Sequence, residues 1–116
     1  MKTINHSVGI DIEDVDRFRL EKSHHFIQDN YTKPELSYCY SKSNPETHLA
    51  GIFCAKEAFA KVATGPYSLK DIEVKHDTTG KPFFSVEKKD VPEFALSISH
   101  TKKCAVAIVM HIPFGV

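Results

Sequence analysis

The stretch at residues 104–112 constrains the fold more than any other part of the chain, because it is apolar at almost every position. Two sets of side chains alternate along it: Val106, Ile108, Met110 and Ile112 on one face, and Ala105, Ala107 and Val109 on the other. A strand with two apolar faces has to be covered on both sides. In a chain of 116 residues, about one domain in size, a second subunit can provide one of those covers.

The remaining segments predict an α+β domain. Strands are predicted at residues 7–13, 71–76, 82–87, 94–100 and 104–112, and helices at 14–29 (broken), 34–41 and 46–64. The helix over 46–64 is the strongest of these, because it is rich in alanine and is followed by Gly65 and Pro66. We expect one long helix packed on a largely antiparallel sheet, in a single domain spanning residues 1–116.

Charge and composition exclude several classes of protein. The 15 Lys and Arg residues balance the 15 Asp and Glu residues, which argues against a protein that binds nucleic acid by neutralising phosphates. No apolar run approaches the ~20 residues needed to cross a membrane, and the first residues lack an apolar signal-peptide core. The three widely spaced cysteines predict free thiols rather than disulfides. We therefore expect a cytoplasmic protein without a nucleic-acid or membrane partner.

Asp11 and Glu13 fall on the same face of the first predicted strand, with backbones roughly 6.6 Å apart. Two carboxylates at that distance repel each other by about 2.5 kcal/mol at an effective dielectric constant of ~20. Either water solvates this face or a cation relieves the repulsion, and hard oxygen ligands favour Mg²⁺ or Ca²⁺. Spacing alone leaves both interpretations open.

Glu57 and Lys61 lie four residues apart on the long helix, which is the spacing of an ordinary surface ion pair. However, Lys56 and Lys61 flank Glu57 on a stretch of small side chains that leaves space above the helix for a phosphate and its metal ion. The residues alone do not decide between an ion pair and a binding site.

Two further segments carry chemical groups without a specific motif. Residues 77–82 lack the glycine and the Ser/Thr of a phosphate-binding P-loop, so a hairpin turn is the expected structure. His100 ends a predicted strand beside two hydroxyls, but no nucleophile-elbow motif occurs, and a structural histidine is the alternative. The other histidines show no zinc-site spacing and are assigned no role: His6, His24, His25, His48, His76 and His111.

Taken in order, four segments resemble the holo-acyl-carrier-protein synthase family of 4'-phosphopantetheinyl transferases. They are VGIDIEDVDR near the start, FCAKEAFAK in the long helix, DIEVKHDTTGKP in the hairpin, and SISHT before the last strand. The similarity extends from Val8 to Ile112. It implies a compact α+β subunit that assembles as a homotrimer with active sites between subunits, which would provide the missing cover for residues 104–112.

The resemblance also implies a reaction. The 4'-phosphopantetheine arm of coenzyme A moves to a serine hydroxyl of an apo acyl carrier protein, and 3',5'-ADP is released. Phosphoryl transfer of this kind depends on positioning and on neutralising the charge of the phosphate oxygens, which a Mg²⁺ ion on the pyrophosphate provides. The alternative is a module that binds coenzyme A or the carrier protein without catalysis.

Residue by residue, the resemblance implies a site. Asp11 and Glu57 match the family's metal-binding acids, Glu13 is a third acid for the metal, and Lys61 matches the lysine that contacts phosphate. The matches for substrate binding are His100, Thr101, Gly80, Lys81 and Pro82, with Arg17, Arg19 and Lys22 expected to receive the acidic carrier protein. The general base is left open between Glu57 and a water held by Glu35 or by the metal acids.

One departure from the family pattern concerns the nucleotide. An arginine that helps to hold coenzyme A usually precedes the F-x-A-K-E run, and Ile52 occupies that position here. The departure predicts either weaker coenzyme A binding or a replacement cation, for which Lys56 is the candidate.

Overall fold

The structure is a computed structural model that describes residues 7–113, and it has the predicted α+β architecture. The strands are β1 (Ser7–Asp14), β2 (Ile72–His76), β3 (Pro82–Val86), β4 (Lys89–Asp90), β5 (Phe94–His100) and β6 (Cys104–His111). The α-helices are α1 (His25–Asn30), α2 (Lys33–Tyr40) and α3 (Pro45–Val62), and short 3₁₀ turns occupy Val15–Phe18 and Leu69–Asp71. Across residues 7–113, none of the helices combines the length and the hydropathy that spanning a bilayer requires.

The strands form two antiparallel sheets of three strands each, in the orders β1–β6–β5 and β2–β3–β4. In the first sheet, Asp11 of β1 pairs with Ala107 of β6, and Ala107 pairs with Ile98 of β5 on its other edge. Helix α3 packs across one face of this sheet, and it is buried at nearly every position from Thr47 to Phe59. The predicted packing of one long helix on an antiparallel sheet is confirmed.

The segment at residues 14–29 shows the largest difference from the predicted elements. Instead of a broken helix it contains a 3₁₀ turn, an irregular stretch and the six-residue helix α1. Burial of Val15, Phe18 and Ile27 anchors the segment, and the His24 side chain accepts a hydrogen bond from the amide of Phe26 at 3.1 Å. Core contacts rather than a continuous helical ladder therefore hold this region.

A buried ion pair joins α2 and α3. Lys56 Nζ donates to Glu35 Oε1 at 2.6 Å, and both side chains are fully excluded from solvent. The same ammonium donates to the carbonyls of Asn30 at 2.9 Å and Leu69 at 2.8 Å. All three N–H bonds of the lysine are thus used inside the core.

Glu35 completes this arrangement through the backbone. Its Oε1 accepts from the amide of Thr32 at 2.9 Å, while the Thr32 hydroxyl accepts from the amide of Glu35, which forms a capping box at the start of α2. Its Oε2 accepts from the amide of Val74 in β2 at 2.7 Å. One carboxylate therefore fixes a helix terminus, a strand and a buried lysine together.

The apolar face predicted to need a second cover is exposed. Val8, Ile10 and Ile12 of β1 are 56%, 54% and 66% accessible. They pair across the strands with residues of β6, in the order Met110, Ile108 and Val106. Helix α3 covers only the opposite face of this sheet. A contiguous apolar patch of this kind is typical of a protein–protein interface.

Gly9 sets how closely β1 approaches α3. A Cβ atom at this position would lie 2.4 Å from the carbonyl oxygen of Ala58, a backbone atom that cannot rotate away. We expect Gly9→Ala to lower the free energy of unfolding by about 1–3 kcal/mol, the usual cost of overpacking, as measured by urea denaturation. Ser7→Ala, on the same strand, is the control; equal stability of the two variants would contradict the close approach.

Candidate active site

Three acidic side chains face one another between β1 and α3. Asp11 and Glu13 lie on the face of β1 that packs against α3, with side chains 15% and 13% exposed, and Glu57 is half-buried on the helix. Burial and the neighbouring Asp11 raise the pKa of Glu13, and Glu57 adds to the rise, whereas Arg17 opposes it. The interpretation of Asp11 and Glu13 as members of a solvated strand face is wrong, because both are largely covered. We call these three residues the acidic pocket.

Lys61 also lies at the acidic pocket. Its ammonium donates to the carbonyl of Ile10 at 2.5 Å and to Asp11 Oδ1 at 3.4 Å, and its side chain is 53% exposed. The lysine is therefore paired with an acid of β1 rather than with Glu57, its neighbour at the ion-pair spacing. These two bonds leave one of the three ammonium N–H groups for a further acceptor.

The donors of the acidic pocket fit a Mg²⁺ ion. No group of three or more His, Cys, Asp or Glu side chains within residues 7–113 already stands at metal-ligand spacing. Mg²⁺, however, is usually held by one or two carboxylates, with substrate phosphates and waters completing its shell. Asp11 Oδ2 is buried and has no hydrogen-bond partner, which is the state expected of an oxygen that awaits a cation.

Two neighbours of the acidic pocket contribute less to such a site. Glu13 is already ion-paired with Arg17, so its carboxylate is partly neutralised within the chain. Burial raises the pKa of the Cys54 thiol to about 12, with Asp11 and Glu13 adding to the rise. The thiol therefore stays protonated and donates to the carbonyl of Ala105 at 3.4 Å.

A second group of predicted residues meets in a cavity of about 180 Å³. It lies between α2, the first turns of α3, the β2–β3 hairpin and β5. Its lining residues are Tyr38, Thr47, His48, Gly51, Ile52, His76, Gly80, Pro82, Ile98 and His100. We call it the histidine cavity. It brings His100, Gly80 and Pro82 together with Ile52, the position of the family's arginine.

Two of the three imidazoles in the histidine cavity pack against the ring of Tyr38. His76 stacks on Tyr38 with centroids 4.0 Å apart, and His48 meets the edge of the same ring at 5.7 Å. The centroids of His48 and His100 are 5.8 Å apart. The sequence predicts no role for His48 or His76, because they come from different elements and share no spacing; only the fold brings them together.

The acidic pocket and the histidine cavity lie on different sides of α3. Glu57 and Lys61 are on the side that meets β1, whereas Thr47, His48 and Ile52 line the cavity toward β5 and the hairpin. Within one chain, the predicted site residues therefore form two separate groups.

Lys56 and Glu35 do not belong to either group. The prediction that Lys56 replaces the family's arginine in holding coenzyme A is wrong, because its side chain is 0% exposed and its ammonium uses all three N–H bonds in the core. Glu35 is equally buried in the same ion pair, so it cannot hold a catalytic water.

The remaining predicted residues lie at the edges. Lys81 is exposed on the far side of the hairpin, where Asp77 Oδ1 accepts from its amide at 3.0 Å. The Thr101 hydroxyl accepts from the amides of Lys103 and Cys104 and thereby shapes the β5–β6 turn. Arg17 lies in the 3₁₀ turn after β1 and is 59% exposed beside the acidic pocket.

Comparison with known proteins decides the family. A sequence profile described as the 4'-phosphopantetheinyl transferase superfamily matches residues 7–109, which include both groups of site residues. The chain belongs to this superfamily.

Within the superfamily it belongs with the holo-acyl-carrier-protein synthases. The synthase of Caldanaerobacter subterraneus subsp. tengcongensis is 38% identical, over 90% of this chain and 93% of that protein. The crystal structure of the Bacillus anthracis synthase, in complex with CoA (3',5'-ADP), is 35% identical, covers 90% of this chain and 94% of its own, and superposes with a TM-score of 0.74. The Neisseria meningitidis synthase is 32% identical with a TM-score of 0.76, over 91% of this chain and 97% of its own. The predicted family and fold are confirmed.

Proposed function

We propose that the protein transfers the 4'-phosphopantetheine arm of coenzyme A to a serine of an apo acyl carrier protein, and that residues 1–116 form one transferase domain. The observation that carries the proposal is the convergence of Asp11, Glu57 and Lys61, distant in the chain, on one pocket. The relatives support it, since they are holo-acyl-carrier-protein synthases and the Bacillus anthracis structure contains CoA (3',5'-ADP).

In this reaction the serine oxygen forms a bond to the phosphorus that bears the pantetheine arm, and the bond from that phosphorus to the leaving 3',5'-ADP breaks. Asp11 and Glu57, with Glu13 beside them, would hold a Mg²⁺ ion, which when bound offsets the negative charge of the pyrophosphate. Lys61 donates its remaining N–H to a phosphate oxygen. Glu57, or a water held at the acidic pocket, takes the serine proton. His100, Thr101 and the Gly80–Pro82 turn, with Lys81, contact the nucleotide.

The exposed apolar face supports a homotrimer. The acidic pocket and the histidine cavity lie on different sides of α3, so one chain presents two halves of a site. Association through the apolar face of β1 and β6 would cover Ile10 and Ile108. The resemblance to the family supports three subunits with active sites between them.

A charge placed on this face should break the trimer. We expect Ile10→Asp to reduce the mass measured by light scattering from three times the chain mass to that of a monomer, because a carboxylate buried in an apolar interface is left unpaired. Ser43→Asp, in the exposed loop before α3, should remain trimeric. Ile10→Asp running as a trimer would contradict the assignment of this interface.

The carrier protein is proposed to dock beside the acidic pocket. Arg17, Arg19 and Lys22 are exposed on the segment after β1, where the acidic carrier protein of such systems can reach them. Arg19 already pairs with Asp16 and Glu46, at 2.8 Å each, so its charge is shared within the chain. The free thiols of Cys39, Cys54 and Cys104 agree with a reducing compartment, and we place the enzyme in the cytoplasm.

The direct test is a mass measurement on apo acyl carrier proteins incubated with the enzyme, coenzyme A and Mg²⁺. We expect the carrier protein to gain the mass of the phosphopantetheine arm, with 3',5'-ADP released in equal amount and no transfer after chelation of the metal. Coenzyme A binding without any mass gain across several carrier proteins would favour the non-catalytic module instead.

A further inference from the structure

We propose that Arg17 couples carrier-protein docking to the acidic pocket: it holds Glu13 while the carrier protein is absent and releases it when the carrier protein docks. Release makes Glu13 available as a further oxygen ligand for the divalent ion. The proposal rests on the proposed function, because it joins the docking surface to the metal-binding acids. Its consequence is that the carrier protein and the divalent ion each strengthen the binding of the other.

Arg17 reaches the acidic pocket from its rim. Its Nη1 atom donates to Glu13 Oε1, four residues earlier, across the junction between β1 and the 3₁₀ turn that follows. The side chain of Arg17 is 59% exposed, whereas that of Glu13 is only 13% exposed. An incoming partner can therefore contact the guanidinium, while the carboxylate stays on the covered side of the pair.

The acidic pocket needs countercharges before a divalent ion binds. It contains three carboxylates, and burial, Asp11 and Glu57 raise the pKa of Glu13, whereas Arg17 opposes the rise. Lys61 pairs with Asp11 at 3.4 Å on the other side of the pocket. Arg17 and Lys61 therefore offset two of the three negative charges in the free enzyme.

Arg17 and a divalent ion compete for the carboxylate of Glu13. Its Oε1 atom accepts a charge-assisted hydrogen bond from the guanidinium, whose positive charge also repels a cation placed beside it. Asp11 Oδ2, in contrast, is buried without a hydrogen-bond partner among the described residues, so it is already free for the ion. Movement of the guanidinium away from Glu13 gives the pocket a further free carboxylate and removes a repulsion.

An acidic carrier protein supplies the competing acceptor. Within residues 7–113, the ion pair with Glu13 is the only one that Arg17 forms, and a carboxylate of the partner can bind the exposed guanidinium through two parallel hydrogen bonds. Arg19 is held differently, because it pairs with Asp16 and Glu46, which lie outside the acidic pocket. Docking on Arg17 therefore removes a positive charge from the pocket, and a bound ion in turn frees Arg17 for the partner. Such a coupling is reciprocal by thermodynamic linkage.

Titration with Mn²⁺ tests the coupling, because this ion takes the same oxygen ligands as Mg²⁺ and its free form is counted by electron paramagnetic resonance. The titration is run without coenzyme A, so no transfer occurs. We expect saturating apo carrier protein to tighten Mn²⁺ binding by about fivefold, the lower end of the usual range for coupled sites. An equal Mn²⁺ affinity with and without bound carrier protein would overturn the proposal.

Variants assign the coupling to Arg17. Arg17→Gln should tighten Mn²⁺ binding to the free enzyme by about fivefold and remove the further effect of the carrier protein. Arg17→Lys, which keeps the charge, should retain part of the coupling. Arg19→Gln is the matched control: it removes an arginine from the same surface, but its partners Asp16 and Glu46 lie elsewhere, so the Mn²⁺ affinity of the free enzyme should not change. A merely structural Arg17 would give unchanged or weaker Mn²⁺ binding in Arg17→Gln, and that result would overturn the proposal.

These results are separable from failure of the proposed function. In the transfer assay, Arg17→Gln should lower the Mg²⁺ concentration that gives half-maximal rate and raise the KM for the carrier protein. Mass gain on the carrier protein together with wild-type Mn²⁺ affinity in Arg17→Gln would overturn the proposal and leave the transferase intact. Absence of mass gain would overturn the transferase, whereas the Mn²⁺ affinity of the free Arg17→Gln enzyme still decides whether Arg17 competes for Glu13.

Discussion

Glu57→Gln is expected to abolish phosphopantetheine transfer, with a loss of at least about a thousandfold in kcat/KM. The substitution keeps the shape of the side chain but removes the charge that would hold a divalent ion opposite Asp11. Glu57 is only half-buried and accepts no hydrogen bond from the described residues, so the free energy of unfolding should change by less than about 1 kcal/mol. The rate is measured by the mass of the carrier protein and the stability by urea denaturation.

Glu46→Gln is the matched control for this variant. Glu46 lies on the same helix but pairs with Arg19, away from the acidic pocket. It should retain transfer activity within a few-fold of the wild type. If Glu57→Gln instead unfolds the protein, or transfers at the rate of the control, Glu57 has a structural role or none in the reaction.

Lys56→Met should destabilise the protein by about 3–5 kcal/mol, the cost of leaving a buried charge without its partner. Removal of the ammonium takes the countercharge from Glu35 and one donor from each of the carbonyls of Asn30 and Leu69, and Leu69 keeps only the amide of Ile72. Burial raises the pKa of Glu35 and lowers that of Lys56, so desolvation already outweighs the attraction between them. The shift is measured as the change in the urea midpoint.

The double variant Lys56→Met with Glu35→Leu distinguishes a lost ion pair from lost packing. It should lose less stability than the sum of the two single variants, because no charge is left unpaired. Recovery will be incomplete, since the amides of Thr32 and Val74 also lose their acceptor. Additive losses would contradict the interpretation of Lys56 and Glu35 as a coupled pair.

Most of the fold could be predicted from periodicity. The predicted bounds of α2, α3 and the five main strands lie within two residues of those observed, because alternation and helix capping are local signals. The segment at 14–29 could not be predicted, since the burial of Phe18 and Ile27 depends on residues far along the chain. The sequence predicted an apolar face that needs a second cover, but it could not show which face α3 covers, because an apolar strand face has the same pattern whether it packs on a helix or on a partner.

The site was predicted in part. Spacing alone left Asp11, Glu57 and Lys61 undecided, and the resemblance to the synthase family assigned them to one site. The fold brings these three residues together between β1 and α3, and their roles stay a prediction. The position of Lys56 was predicted wrongly, because the sequence of an amphipathic helix does not show that the core contains three hydrogen-bond acceptors for this lysine. His48 and His76 were not predicted as site residues, because only the tertiary structure brings them close together.

Lys56 and Glu57 are consecutive in the chain, yet Lys56 turns into the core and Glu57 turns toward Glu13 in the acidic pocket. A helix advances about 100° per residue, so neighbours in a motif can serve unrelated ends. A screen of variants that measures only the amount of product would identify both Lys56 and Glu57 as essential, because loss of folded protein and loss of rate both reduce the product. Assays normalised to the amount of folded enzyme would distinguish the loss of stability expected at Lys56 from the loss of rate expected at Glu57. Variants of this helix should therefore be judged by stability at Lys56 and by activity at Glu57.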